Sequence, residues 1–265
     1  MSSVSLPIRR SFGETMRRGA WWLPSLLTFI GLGAFVVYST WAAFQGDNYW
    51  YDGNGAHYLS PFYSPEIFGN SPHALFGKPP SWIPSWLPFS PALLILWAPG
   101  GFRFTCYYYR GAYYKAFWAD PISCAVGEPR GDNYRGERKF PLILQNIHRY
   151  FLYFALIFLI FLAYDAINAY RFTDGFHVNL GSIILTANVF FLAGYTFSCH
   201  SLRHLVGGRN DELSNKPMQC AAYNACSSLN KRHMLFAWCS LFVVGFSDIY
   251  VRMLSMGIWS DFRFF

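Results

Sequence analysis

Charged residues are scarce in this chain of 265 residues, since Asp, Glu, Lys and Arg make up 13% of it, against about a quarter in soluble globular domains. A soluble single domain is therefore not expected. The 53% hydrophobic content excludes a disordered chain, and six cysteines spread over this length do not form a small disulfide scaffold. The sequence also lacks an internal period, which excludes collagen and repeat folds. These absences leave an all-α integral membrane protein.

Five apolar segments are long enough to cross a bilayer, which requires about 20 residues per helix. They cover residues 21–44, 86–104, 140–170, 178–205 and 234–259. Their apolar runs are continuous, which excludes the alternating strands of a membrane barrel. We expect a single membrane-anchor domain over residues 1–265, with five transmembrane helices, an outer loop at 45–85 and inner loops at 105–139 and 206–233.

Lys and Arg are distributed unevenly between the two sides of these segments. The N-terminus, residues 103–139, residues 203–232 and Arg149 together carry 17 of the 21. The opposite side has only Lys78, Arg171, Arg252 and Arg263. Because basic residues concentrate on the cytoplasmic side of membrane proteins, the N-terminus is predicted to be cytoplasmic. The net charge of +7 is thus explained by topology, and no nucleic-acid partner is expected.

Most of the Cys and His residues fall on the same, predicted cytoplasmic side. Five of the six cysteines and four of the seven histidines lie there: Cys106, Cys124, Cys199, Cys220, Cys226, His148, His200, His204 and His233. Any one of them alone is explained as a small buried hydrophobe or an interfacial imidazole. Their arrival from several segments at a common depth instead favours a metal or redox cofactor.

The Cys and His residues alone leave three cofactors open. Haem needs two facing imidazoles, zinc a closed set of four ligands, and a Rieske-type [2Fe–2S] cluster two Cys and two His. The usual Rieske spacing, Cys-x-His with Cys-x-x-His, is missing, so any such cluster must draw on separate helices. His200 and His204 are four residues apart and therefore share one face of the predicted fourth helix.

The chain resembles the membrane anchor subunit of actinobacterial-type succinate dehydrogenase or fumarate reductase at five strings: CYYYRGAYYKAFW, PISCAVGEP, RKFPLILQNIHRYF, YTFSCHSLRHLVGGR and LNKRHMLFAW. The resemblance extends from about residue 98 to the final DFRFF. It implies an anchor in the cytoplasmic membrane that docks a flavoprotein and an iron–sulfur subunit and passes electrons to menaquinone. The dicarboxylate chemistry would belong to the flavoprotein, and the oligomeric state of the complex stays open.

Related single-chain anchors hold two b haems through His residues on four helices, and two of these helices are the first and second spans. Here neither 21–44 nor 86–104 contains a His, which argues against two haems and favours a Rieske-type [2Fe–2S] cluster. We expect Cys106 and Cys124 on one iron and two histidines on the other, with Cys199 as the reserve thiolate. The candidate histidines are His148, His200, His204 and His233. A single haem b and a cofactor-free anchor or transporter are the alternatives, and Cys220 and Cys226 receive no role.

A quinone site needs a flat apolar slot with hydrogen-bond donors for the two carbonyls. Near the inner layer, Tyr107, Tyr108, Arg110 and Arg203 offer such donors. Asp165 lies inside the third predicted span, where a carboxylate is costly and often functional. We expect it to serve an outer quinone or proton-exchange site, and a neutral hydrogen-bonded contact between helices is the alternative. The sequence has no catalytic triad, phosphate loop or dinucleotide fingerprint, so no catalytic residue is predicted.

Overall fold

The computed structural model describes residues 19–53, 55–81, 89–117, 143–172, 175–208, 210 and 212–264. The predictions for the N-terminal arginines and for Cys124 lie outside these residues. In chain order the elements are α1 (Leu23–Gln45), β1 (Trp50–Gly53), β2 (Ala56–Leu59), α2 (Pro91–Ile95), α3 (Trp97–Thr105), α4 (Tyr107–Phe117), α5 (Leu144–Asn168), β3 (Arg171–Phe172), β4 (Gly175–Phe176), α6 (Leu180–Phe197), α7 (His200–Gly207), α8 (Pro217–Asn230) and α9 (His233–Ser255).

Four helices in the described part of the chain are long and apolar enough to cross a membrane, namely α1, α5, α6 and α9. They match the first, third, fourth and fifth predicted spans. α6 packs against both α5 and α9, and α3 packs against α5. Their outward faces carry many exposed large apolar side chains, among them Val37, Ile160 and Phe190. Such faces are stable only against lipid, so the chain is a mainly helical, multi-pass membrane protein.

The second predicted span is not one long helix. It consists of α2 and α3, with a turn at Leu96 between them. Pro99 explains the turn, because proline has no N–H to donate to the carbonyl of Ile95 and its ring displaces that carbonyl. Because of this break, the count of five spanning helices remains a prediction. The cytoplasmic position of the N-terminus is also a prediction.

The fourth predicted span also differs from expectation, because α6 ends at Phe197 and α7 begins at His200. No Pro or Gly lies between them, so the sequence pattern predicts one continuous helix. Contacts from the next helices stabilise the break instead. The Asn230 side chain donates to the Ser198 carbonyl at 2.7 Å, and the Ser198 hydroxyl lies 2.6 Å from His233 Nδ1.

One end of the bundle, which we call the hairpin end, is closed by the segment that follows α1. β1 pairs antiparallel with β2, with Trp50 opposite Leu59 and Gly53 opposite Ala56. Residues 58–64 are buried. The predicted outer loop thus packs on the helices over its described residues. A second short antiparallel pair, β3 with β4, lies between α5 and α6, so the all-α prediction holds except for these two hairpins.

Candidate thiol and imidazole site

Two buried cysteines lie at the opposite end of the bundle, which we call the cysteine end. Cys106 separates α3 from α4 and Cys199 separates α6 from α7, and each is 2% exposed. Both adopt extended backbone, with ψ of 132° at Cys106 and 136° at Cys199. Each cysteine therefore interrupts a helix. A break of this kind lets the thiol leave the helix surface and enter the bundle core.

Two imidazoles meet these thiols from the first turns of α5 and α9. His148 Nε2 lies 3.2 Å from the sulfur of Cys199, and His233 Nε2 lies 3.5 Å from the sulfur of Cys106. His148 is buried and His233 is half-buried. The two Cys–His pairs are close to each other, since all four residues line one cavity. We call these four residues the Cys–His cluster.

The hydrogen bonds of two hydroxyl groups fix which imidazole nitrogen carries the proton. Thr105 Oγ1 donates its only hydrogen to the Gly101 carbonyl at 2.7 Å, so it accepts from His148 Nδ1–H at 2.8 Å. Ser198 Oγ likewise donates to the Tyr195 carbonyl at 3.1 Å and accepts from His233 Nδ1–H. Both Nε2 atoms are then unprotonated and point at sulfur. An unprotonated imidazole nitrogen oriented by its other N–H is the arrangement that metal-binding histidines use.

Aromatic rings hold both imidazoles in place. His148 stacks on Phe102 with ring centroids 4.6 Å apart and an interplanar angle of 6°. His233 stacks on Tyr195 at 5.1 Å and 22°. The Tyr195 hydroxyl is buried beside Cys106, yet no nitrogen or oxygen of the described residues accepts its hydrogen bond. A buried hydroxyl without such a partner costs free energy, and a metal-bound thiolate or sulfide at this position would satisfy it.

Arg103 places a positive charge beside the cluster. Its guanidinium donates to the Tyr109 hydroxyl at 2.7 Å and to Ser240 Oγ at 3.0 Å. The same group lies over the Tyr195 ring, 4.8 Å from its centroid. An arginine at this depth is costly unless it is bonded on several sides. These contacts fix a cation close to the thiols, where it stabilises negative charge.

Burial controls the protonation of the Cys199 thiol, which lies just beyond the end of α6. Removal from water raises the pKa of the Cys199 thiol to about 11, against an ordinary value of 9.0. The thiol is therefore neutral at physiological pH when no metal is bound. Because a metal binds the thiolate, binding at this site would release a proton.

Two cavities flank the Cys–His cluster. The first, of about 790 Å³, opens at the cysteine end, and all four cluster residues line it together with Tyr107, Tyr108, Arg149, His200 and His204. The second, of about 310 Å³, lies deeper and is mainly apolar. Phe102, Arg103 and Tyr195 line the second cavity, so the residues that stack on the two imidazoles separate the two spaces.

The remaining predicted ligands among the described residues, and two cysteines without a predicted role, lie on α7 and α8. His200 and His204 lie on α7 and contact each other, with 2.9 Å between their Nε2 atoms. Burial first, and then His204 and Arg203, lower the pKa of His200. Cys220 and Cys226 lie on α8, half-buried and buried respectively. The sequence pattern correctly predicted the face shared by His200 and His204, although α7 is shorter than the helix expected there.

The predicted quinone residues do not form one group. Tyr107 and Tyr108 line the first cavity, and Tyr108 accepts a hydrogen bond from Trp238 at 2.6 Å. Arg110 is buried with its guanidinium over Tyr107, and Arg203 lies over Tyr223. Asp165 belongs to the hairpin end, where it accepts from Ser64 and lies 3.2 Å from His73 Nε2.

Sequence reasoning missed the residues that support the cluster, namely Phe102, Arg103, Thr105, Tyr195 and Ser198. One signal was available, because a hydroxyl residue directly precedes both Cys106 and Cys199 in the sequence. The same pattern also precedes Cys124, so it would not have selected the pair by itself. Arg103 was counted only as part of a basic loop, although it falls within the second predicted span.

A single metal ion is not the group for which these donors are arranged. Among the residues that the structure describes, no three His, Cys, Asp or Glu side chains converge on one point that could hold an ion. The donors form two Cys–His pairs instead.

Long apolar helices that pack side by side define this chain as a multi-pass integral membrane protein, with thiols and imidazoles gathered at one end. The family model for actinobacterial succinate dehydrogenase subunit SdhC matches residues 23–257, and the chain belongs to this family. It is similar to a chain in a solved structure from Mycobacterium smegmatis, the Sdh1 complex in the apo form. The two are 44% identical with a TM-score of 0.85, and the match covers 98% of each chain. Comparison with curated proteins gave no match.

The family confirms the resemblance to a succinate dehydrogenase anchor and its place in the cytoplasmic membrane. The chain is therefore a subunit of an enzyme complex. The family and the match to the Sdh1 complex also confirm the expected partners, namely the flavoprotein and iron–sulfur subunits of a succinate dehydrogenase.

Proposed function

We propose that this chain is the quinone-reactive anchor of its succinate dehydrogenase complex and holds a Rieske-type [2Fe–2S] cluster at the cysteine end. The ligands would be Cys106, Cys199, His148 and His233. The observation that carries the proposal is the pair of imidazole Nε2 atoms, which lie 3.2 Å and 3.5 Å from the sulfurs of two buried thiols. When bound, such a cluster supplies one-electron transfer.

This ligand set replaces Cys124 with Cys199, the reserve thiolate of the sequence-based hypothesis. Cys199 contacts His148 directly and shares its cavity with the other three residues. Cys124 lies outside the described residues. His200 and His204 face each other rather than a cysteine, and they are assigned no role in the cluster.

The donor set suits two irons. Four protein ligands, two per iron, complete a [2Fe–2S] centre, and the Rieske pattern places both imidazoles on one iron. Each imidazole of this chain approaches a different thiol, so a mixed arrangement with one Cys and one His per iron is the other outcome to be tested. Thr105 and Ser198 keep both Nδ1 atoms protonated, and Arg103 compensates for the negative charge of the thiolates.

The partners follow from the family. The flavoprotein and the iron–sulfur subunit would dock at the cysteine end, and the dicarboxylate chemistry would take place on the flavoprotein. Residues 103–139 and 203–232 hold 12 Lys or Arg and 6 Asp or Glu. Their positive excess favours a soluble partner with an acidic surface. This end of the anchor would face the cytoplasm.

Menaquinone is the proposed electron acceptor, and the two cavities offer it polar and apolar surroundings. Tyr107 and Tyr108 present hydroxyl groups at the first cavity, and the second provides an apolar space behind the cluster. Arg110 and Arg203 would support the first site from neighbouring positions on α4 and α7. Asp165 stays assigned to a separate outer site for quinone or proton exchange, with His73 as its neighbour.

The test is electron paramagnetic resonance of the reduced complex, combined with iron and acid-labile sulfide analysis. We expect a rhombic signal of low average g in the wild type and its loss in Cys199→Ser and Cys106→Ser. Cys239→Ser and Cys226→Ser are the matched controls and should keep the signal. Couplings to nitrogen would distinguish two imidazoles on one iron from the mixed arrangement. A sharp visible α band without the iron–sulfur signal would instead establish haem b, and a colourless chain would establish a cofactor-free anchor.

A further inference from the structure

His200 and His204 form a contact that the proposed cluster does not use. They occupy the first and fifth positions of α7, and this spacing stacks two side chains on one helix face. Both are exposed, their rings are nearly perpendicular at 79°, and their Nε2 atoms are 2.9 Å apart. Both also line the mouth of the first cavity.

The separation of these two nitrogens is close to that of a metal chelate. Zinc binds imidazole nitrogen at about 2.0–2.1 Å in tetrahedral geometry, which places two ligand nitrogens about 3.3 Å apart. A shift of a few tenths of an ångström therefore converts the observed pair into a two-ligand site. Imidazole is a preferred ligand of zinc, copper and nickel, whereas magnesium and calcium prefer oxygen.

We propose that His200 and His204 form a second metal site, specific for zinc-class divalent cations and separate from the Cys–His cluster. Water would complete the coordination sphere, because only two protein ligands converge there. Arg203 lies between the two histidines in sequence, but its guanidinium is directed over the Tyr223 ring of α8. Its positive charge still acts on His200 and contributes to lowering the pKa of that imidazole, after burial and His204.

A cation at this position would obstruct the first cavity. His200 directly follows the cluster ligand Cys199, and the cavity they share is the proposed route to Tyr107 and Tyr108. We therefore expect bound Zn²⁺ to slow electron transfer to quinone reversibly. The inhibition rests on the proposed function, whereas the binding of Zn²⁺ does not, so the two are measured separately.

Binding is tested on the intact complex with its iron–sulfur content verified, so that Zn²⁺ does not enter an empty cluster site. Equilibrium dialysis with Zn²⁺, followed by metal analysis, should find one more chelator-removable Zn²⁺ per chain in the wild type than in His200→Gln or His204→Gln. His177→Gln and Cys220→Ser control for a half-buried imidazole and a half-buried thiol elsewhere in the chain. Equal zinc in all of these proteins would overturn the proposal.

Inhibition is tested by succinate–quinone reductase activity, with each rate expressed relative to the same protein in EDTA. Zn²⁺ should inhibit the wild type, Mg²⁺ should not, and removal of either histidine should raise the half-inhibitory Zn²⁺ concentration at least about tenfold. Zinc binding without inhibition would keep the site and contradict its place on the quinone route. Loss of the iron–sulfur signal in His204→Gln would make His204 a cluster ligand and overturn the proposal.

Discussion

At the scale of single residues, the hydroxyl groups beside the two cysteines decide the chemistry of the imidazoles. The hydroxyl groups of Thr105 and Ser198 each donate a hydrogen bond to a helix carbonyl one turn back. Each then accepts a hydrogen bond from the Nδ1–H of a histidine. The neighbouring thiols and rings would permit either tautomer. Because the hydroxyl groups accept the Nδ1 proton, they favour the tautomer whose Nε2 is unprotonated, and this nitrogen faces the cysteine sulfur.

The replacement Thr105→Val tests this role, because valine keeps the shape of threonine and removes the acceptor for His148 Nδ1–H. His148 Nδ1–H then loses this acceptor and, among the residues that the structure describes, keeps only its contact with the Phe102 backbone. Loss of such an outer hydrogen bond typically weakens metal binding by about 10–100-fold. We expect lower iron and sulfide content per chain and an altered signal from the reduced cluster.

Thr186→Val is the matched control, since Thr186 Oγ1 also donates to a helix carbonyl four residues back, at 2.8 Å, but lies on α6 away from the cluster. It should leave the iron content unchanged. If Thr105→Val retained full iron and an unaltered signal through chelator treatment, His148 would not depend on Thr105.

At the scale of elements, the close approach of a helix to the hairpin end depends on glycine. Gly181 is the second residue of α6 and lies opposite Tyr58 of β2, and a Cβ at Gly181 would lie 2.4 Å from the ring carbon Cε2 of Tyr58. Tyr58 is fully buried and its hydroxyl donates to Asp261 at 2.6 Å. The ring therefore cannot move aside without breaking this bond.

Gly181→Ala should accordingly destabilise the chain by about 1–3 kcal/mol, the usual cost of overpacking a filled core. Gly33→Ala is the control, because a Cβ there would meet nothing within 4 Å. Alanine is a better helix former than glycine, so the control should be neutral or stabilising by up to about 1 kcal/mol. Thermal unfolding in detergent measures both, and a Gly181→Ala variant as stable as Gly33→Ala would show that the contact is relaxed.

Element boundaries also mark where sequence reasoning succeeded and failed. Hydropathy predicted α1, α5 and α9 to within a few residues, because long apolar runs have no stable alternative to helix in lipid. It could not place the break at Cys199. Bonds from Asn230 and His233 stabilise this break, and these residues are more than 30 positions away. Contacts of this kind follow from tertiary packing and leave no local pattern.

At the scale of the whole molecule, the two ends of the bundle differ in the residue types that the sequence places there. The Cys and His residues mark one end, and the structure brings Cys106, Cys199, His148 and His233 together there. The sequence could not select the four ligands, because they come from four different segments that only the folded structure brings together. Acidic and aromatic side chains hold the other end together, through Glu66 with Tyr49 and Asp261 with Tyr58.

The ion pair between His73 and Asp165 joins the segment that closes the hairpin end to α5, and it makes this closure depend on pH. The hydrogen bond to Asp165 raises the pKa of His73 above its ordinary value of 6.5, against the opposing effect of burial. A raised folded-state pKa means that the folded state binds the proton more tightly than the unfolded state. The stabilisation is therefore complete below about pH 6.5 and is lost as the pH rises through the raised pKa.

We expect amide hydrogen exchange in residues 60–76, corrected for the intrinsic effect of pH, to accelerate as the pH rises through this range. Asp165→Asn should remove the dependence, because it removes the partner that raises the pKa of His73. His57→Gln is the control, since the partner of His57, Asp52, has a side chain that is 60% exposed, and exposed ion pairs contribute little to stability. Exchange that was independent of pH in the wild type, or that kept its pH dependence in Asp165→Asn, would show that the closure of the hairpin end does not depend on this ion pair.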